Sequence, residues 1–409
     1  MDAPLRPFYS YNQPIVIRMN GFSMLFGNLI ALSLLIGSCN LFDGKKDNDK
    51  EAIPPYQLPD NPKLDAAQTN RLKQECTTWY DSILKKSGFN GAVLVAKNGT
   101  IVFEKYQGLA HLEGKDKVTE TTSFHIASVS KTFTAMAVLK LFEEKRLLID
   151  DEFSKYFPTF NYPGVTVRTL LNHRSGLPNY VYFIDEIGWD KNVFVKNQDV
   201  FNILVDRKNE LKNITPPNRH FSYCNTNYAL LALLIEKLSN STYPQFIKKY
   251  IFDPLQMTHS FVYTQLDSSR ITPSYDWRGQ RIPFNQLDMV YGDKNIYSTV
   301  KDLLKWDRLI RTNVFLSASS LKEAYTPYSN EKAGIKNYGL GWRMNLYPDG
   351  KKIIFHNGWW HGNNASFIRV IEGDATIIVL GNRYNRGIYK SKLLINLFDR
   401  AHSAAEDDE

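Results

Sequence analysis

Two apolar runs meet at an Asn-Gly pair. Gly91-Ala-Val-Leu-Val-Ala-Lys97 and Thr100-Ile-Val-Phe-Glu-Lys-Tyr106 flank Asn98-Gly99. A two-residue hairpin turn needs positive φ at both positions, which Asn and Gly tolerate best, so this spacing predicts a β-hairpin. The other β-rich runs lie at the far end of the chain. They are Ile353-Ile-Phe355, Ala365 to Ile371 and Thr376 to Leu380, with Gly373-Asp374 as a turn. Leu72, Cys76, Trp79, Tyr80, Ile83 and Leu84 recur at helical spacing before the hairpin, and Phe133, Met136, Leu139 and Phe142 repeat that spacing after Ser128. Thr166 is placed to cap a short helix running to Asn172. Tyr228 to Leu238, apolar nearly all round, predicts a buried helix, and Tyr389 to Ala401 a closing one. The expected fold class is therefore α/β (α+β): an antiparallel sheet flanked by helices, built from both chain ends, with an all-helical inserted domain. The boundaries expected are 66–149 and 291–402 for the sheet domain and 150–290 for the helical domain.

The first residues read as a targeting segment, not as fold. Met24 to Ile36 is a short apolar stretch preceded by Arg18 and followed by Gly37-Ser38-Cys39. It is short for a membrane span and has the charge, length and small residues of a signal peptide over 1–38. Ile36-Gly-Ser-Cys39 resembles a bacterial lipobox, which makes Cys39 the expected lipidation site and the membrane a partner through that anchor. Charge and proline without apolar period then read as a flexible tether over 39–65. The expected localisation is that of an exported bacterial lipoprotein of the cell envelope, facing the periplasm or on the outer membrane. Of the other cysteines, Cys76 sits on a helical stripe and Cys224 inside a motif, so two unpaired thiols are expected rather than a disulfide.

At 409 residues with a net charge of +8, the chain can bury a large core and favours anionic surroundings. No arginine-rich run, zinc-ligand spacing or Gly-rich phosphate loop accompanies that charge. Nucleic acid is therefore not expected as a partner, and no metal or cofactor is expected.

The chemistry is concentrated in three stretches. Ser128 and Lys131 stand three apart where loop turns into amphipathic helix, so one turn brings the lysine nitrogen to the serine hydroxyl. A serine needs such a neighbour before it can attack a carbonyl. Ser-x-x-Lys also occurs at Ser82, Ser298, Ser319 and Ser329, so the tetrapeptide is weak evidence alone. Tyr223 and Asn225 are two apart, and an extended loop would place both side chains on one side. Phe355-His-Asn-Gly-Trp359 follows directly on a strand. There His356 could present a donor into a cleft, Gly358 allows close approach by substrate, and the Trp359 amide could complete an oxyanion hole.

In that order, Ser-x-x-Lys, Tyr-x-Asn and His/Lys-x-Gly resemble class C β-lactamases and their penicillin-recognising serine hydrolase relatives. Phe89 to Gly99, Phe124 to Ala135, Leu170 to Pro178, Asn295 to Leu303 and Tyr338 to Trp342 extend the resemblance over roughly 85–400. It implies Ser128 as the acylated nucleophile, Lys131 as its base partner, Tyr223 as proton relay to the leaving group, and Asn225 as a substrate-orienting residue. It also implies an oxyanion hole from the amides of Ser128 and Trp359, and a small-molecule or peptide substrate, including cell-wall fragments. His356-Asn357-Gly358 departs from the Lys-Thr-Gly of many members. A neutral imidazole attracts a substrate carboxylate less than an ammonium does, so esterase or D-amino-acid peptidase activity is expected over efficient β-lactam hydrolysis. The competing expectation is a non-catalytic binder of cell-wall fragments with the same fold.

Overall fold

The structure is a computed structural model that describes residues 52–399. The Asn-Gly hairpin forms as expected, joining β1 (Gly91–Lys97) to β2 (Thr100–Gln107), with φ of 52° at Asn98 and 74° at Gly99. Five strands from the other end complete the sheet: β8 (Lys336–Tyr338), β9 (Arg343–Leu346), β10 (Lys352–Trp360), β11 (Asn363–Val370) and β12 (Ala375–Gly381). The order is β2-β1-β12-β11-β10-β9-β8, every pairing antiparallel, and β1 joins the two ends by lying against β12, with Val93 opposite Val379. Short strands lie between: β3 (Phe124–His125), β4 (Phe261–Val262) and β7 (Ile296–Ser298) in one small sheet, β5 (Ser274–Tyr275) with β6 (Arg281–Ile282) in another.

Helices cover both faces of the large sheet, because successive side chains of each strand point to opposite sides and both sets are apolar. Ala92, Leu94, Ala96, Phe367 and Ile378 face one core. That core holds α2 (Ser130–Glu143), α6 (Asn225–Ser239) and α8 (Val300–Ile310), with Phe133 stacked on Trp306 at a centroid distance of 4.4 Å. Val93, Val95, Ile368, Ile377 and Val379 face the other, against α1 (Ala66–Trp79) and the C-terminal segment. The remaining helices are short: α3 (Val167–Leu171), α4 (Tyr180–Glu186), α5 (Asn197–Asp206), α7 (Tyr243–Ile247) and α9 (Ala318–Ala324). Thr166 caps α3 as expected, its hydroxyl accepting from the Thr169 amide at 3.2 Å.

Three local expectations change. The closing helix is a 3₁₀ segment, Arg386–Leu397, rather than an α-helix. The third motif lies inside β10 instead of after a strand. The described part of the expected tether, 52–65, is held to the body. The Tyr56 hydroxyl donates to the Tyr250 carbonyl at 2.9 Å, its amide donates to Pro254, and Asn61 reaches the Gly99 carbonyl at 3.0 Å. The Tyr56 ring also packs edge-on against Phe315, at a centroid distance of 6.0 Å. The expected signal peptide and Cys39 lie outside the described residues.

Candidate active site

Ser128 sits in a single 3₁₀ turn, Ala127–Val129, that leads into α2. The turn is forced: Ala127 has φ of 47°, a left-handed conformation that costs a non-glycine residue on the order of 1 kcal/mol or more. His125 holds it there. The Ala127 amide donates to His125 Nδ1 at 3.1 Å, so the other ring nitrogen carries the proton and donates to Asn295 Oδ1 at 3.0 Å. Burial lowers His125 to about 4, which keeps Nδ1 available as an acceptor. Sequence reasoning gave His125 no role. Its signal was present, however, in a histidine three residues ahead of Ser128.

Lys131, in the first turn of α2, is fully buried. Its Nζ lies 3.0 Å from Ser128 Oγ, 2.8 Å from Asn225 Oδ1 and 2.8 Å from the Asp293 carbonyl. Two of these partners are acceptors only. The third, the serine hydroxyl, can accept from the lysine or donate to it, so it is the one partner through which a proton can pass. Among the described residues no carboxylate forms an ion pair with this lysine. The other Ser-x-x-Lys copies differ. Ser82 Oγ bonds the Thr78 carbonyl while Lys85 pairs with Asp81, and Ser298 Oγ meets Ser260 while Lys301 pairs with Glu120.

Tyr223 and Asn225 converge on the same nitrogen. The intervening Cys224 is extended, at φ −138° and ψ 116°, and Asn225 opens α6. Lys131 Nζ stands 5.0 Å from the Tyr223 ring centroid, and the Arg343 guanidinium approaches the same ring at 5.1 Å. His173 packs on it at 4.3 Å. Among the described residues the Tyr223 hydroxyl makes no hydrogen bond to Ser128 or Lys131. Cys224 is buried and unpaired, as is Cys76, and burial raises the Cys224 thiol to about 11.

Gly358 brings β10 against the turn that carries Ser128. A Cβ there would stand 2.3 Å from the Ile126 carbonyl and 3.2 Å from the Ser128 amide. β9 pairs with β10 only as far as Phe355, so from His356 to Trp360 β11 is the sole strand beside it among the described residues. The Trp359 side chain is 63% exposed.

His356 is not placed as the sequence suggested. It is fully buried, with Nδ1 on the Asn357 carbonyl at 2.7 Å and Nε2 on the Tyr338 hydroxyl at 3.2 Å. Neither nitrogen opens to the cleft as a donor. The Asn357 carbonyl accepts a hydrogen bond from Nδ1–H, leaving Nε2 to accept from Tyr338. That hydroxyl also meets His173 Nε2 at 3.2 Å, while His173 Nδ1 accepts from the Cys224 amide at 3.1 Å. The result is a closed chain from the Tyr223 loop to β10. Burial, then the Arg343 and Lys131 charges, hold His356 well below its ordinary range. Burial and Lys131 do the same to His173. Tyr338 and His173 were in motifs read from the sequence, but nothing in their spacing announced this contact.

Comparison with known proteins identifies the family and the fold. The family described as Beta-lactamase matches residues 78–393. Penicillin-binding protein 4* of Bacillus subtilis is 32% identical over 340 residues, covering 79% of this chain and 74% of that one. Protein flp of Staphylococcus aureus is 28% identical over 327 residues, and the match spans 64% of its length. Among solved structures, the octameric penicillin-binding protein homologue from Pyrococcus abyssi has a TM-score of 0.65 at 25% identity, covering 80% of this chain and 76% of that one. The D-amino acid amidase from Ochrobactrum anthropi SV3 shares the fold, with a TM-score of 0.67 at 21% identity, covering 82% and 99%. The chain belongs to the β-lactamase family, within the penicillin-recognising serine hydrolases.

Proposed function

We propose that this protein is an acyl-transferring hydrolase that forms an acyl-enzyme on Ser128 and cleaves an ester, a D-amino-acid amide or peptide, or a β-lactam. The observation that carries the reading is the environment of Lys131 Nζ, with two acceptors spoken for and Ser128 Oγ at 3.0 Å. Lys131 takes the hydroxyl proton as Oγ bonds to the carbonyl carbon. The amides of Ser128 and Trp359 receive the developing oxyanion, aided by the N-terminal end of α2. Tyr223, between Lys131 and Arg343, passes the proton to the leaving group as its bond to carbon breaks. Water then attacks the ester, with its proton returning through the same groups.

Buried, neutral His356 supplies no charge for a substrate carboxylate, which supports esterase or D-amino-acid peptidase activity over efficient β-lactam hydrolysis. Incubation with a fluorophosphonate followed by peptide mapping is expected to place the adduct on Ser128. Ser128→Ala is expected to abolish nitrophenyl-ester turnover, and an unmodified Ser128 or unchanged turnover would sink the reading. A panel of nitrocefin, short-chain esters and D-alanyl peptides ranks the substrates. Export and lipidation at Cys39 belong to the same proposal. Cys39→Ala is expected to move the protein from the membrane to the soluble fraction.

A further inference from the structure

Behind Lys131 lies a charged pair that the mechanism above does not use. Asp293 and Lys294 are each only 2% exposed, a costly place for two ions. The Asp293 carbonyl is the one on which Lys131 Nζ rests at 2.8 Å. Its carboxylate accepts from the Tyr180 hydroxyl at 2.9 Å through Oδ2, while Oδ1 is buried with no hydrogen-bond partner among the described residues. The Lys294 ammonium donates to the same Tyr180 oxygen and to the Val290 carbonyl, and faces the Trp360 ring at 4.7 Å. The two charges are 3.7 Å apart at their nearest atoms, so they offset one another without a tight hydrogen bond. Burial pulls Lys294 below the usual lysine range, the Asp293 and Asp288 carboxylates oppose that pull, and the nearby Lys131 adds to it.

We propose that Asp293 and Lys294 are positioning residues: together they anchor the carbonyl that orients Lys131, and their opposite charges bias the proton that Ser128 and Lys131 share. A second cation favours the neutral amine needed for proton abstraction, and the neighbouring carboxylate limits that effect. This rests on the acyl-enzyme reading and deepens it. The other charged or titratable groups around Lys131 are Tyr223 and Cys224 before α6, Tyr228 on it, His173, and His356 on β10. Arg343 acts on the two histidines, and Asp288, paired with His361, lies beyond Lys294. Each of these is unchanged by the substitutions that follow.

The test is the pH dependence of fluorophosphonate labelling of Ser128 in the full chain. Lys294→Met removes the cation and is expected to move the acid limb up by about one pH unit, roughly a tenfold loss below it. Asp293→Asn is expected to move the limb the opposite way, and Lys294→Arg to leave it in place. The double variant Asp293→Asn/Lys294→Met is expected to bring it back near the parent position, and it keeps the test open if Lys294→Met alone fails to fold by circular dichroism. Opposite shifts support the proposal. Single variants that lose rate equally at every pH, with the limb fixed, reduce the pair to a structural role and overturn it. Absence of labelling in the parent overturns the acyl-enzyme reading as well, so the two failures are distinct.

Discussion

Gly358 carries a restriction that no other residue type meets. A methyl group there would press on the Ile126 backbone carbonyl at 2.3 Å, and a carbonyl in a packed turn cannot swing aside as a flexible side chain can. Gly358→Ala is therefore expected to push β10 away from the Ser128 turn and misplace the Ser128 amide, a donor in the proposed oxyanion hole. Loss of one oxyanion donor corresponds to a fall of roughly 10²-fold in turnover. Measuring ester kcat/KM beside the thermal midpoint checks it: the rate should fall far more than the stability. That Ser128, Lys131, Asn225 and Gly358 would meet at one place was legible from the order of three motifs, each of them weak alone. His356 was legible as a position but not as a role. Its burial depends on Tyr338, His173 and Asn357, and only their convergence shows both ring nitrogens engaged.

Among the elements, the hairpin that opens the sheet followed most directly from the sequence. Positive φ at Asn98 and Gly99 is a local demand, independent of anything distant. Gly99→Ala is expected to destabilise the fold by about 1 kcal/mol or somewhat more, through a φ of 74° that alanine resists and contact with the ends of Asn61 and Arg311. A urea titration with an unchanged midpoint would contradict that. α6 was legible for the same local reason, since an almost wholly apolar stretch is helical and buried at once. The 3₁₀ form of the C-terminal segment and the far half of β10 were not. A short apolar run has no periodicity to separate strand from loop, and β10 runs on to Trp360 because β11 pairs with it along its whole length. Tyr56 escaped notice because a proline-rich segment has no pattern of its own.

Over the whole molecule, acid should act through buried histidines. His125 is held near 4, and His173 and His356 well below their ordinary range, in each case first by burial. In the unfolded chain each would take up a proton near pH 6.5, while in the native state each stays neutral. The unfolded state thus binds more protons, and stability falls as pH drops below about 6.5 toward each native value. Once the unfolded histidine is protonated, each contributes a slope of about 1.4 kcal/mol per pH unit. Urea midpoints measured from pH 7 to pH 5 should fall steeply. A flat profile would show that these rings are not held neutral.

Local chemistry and chain order determined the sheet from both ends, the hairpin, the apolar helices and the Ser128–Lys131 pair. Each rests on periodicity, turn conformation or a spacing of one helical turn, which act over a few residues. Tertiary structure alone brought the Asn225 amide oxygen and the Asp293 carbonyl onto Lys131. It also buried His356 behind Tyr338 and set Asp293 and Lys294 against Lys131. Those are contacts across long stretches of chain, fixed by the packing of α2, α6 and β10 around one point, and no local pattern encodes them.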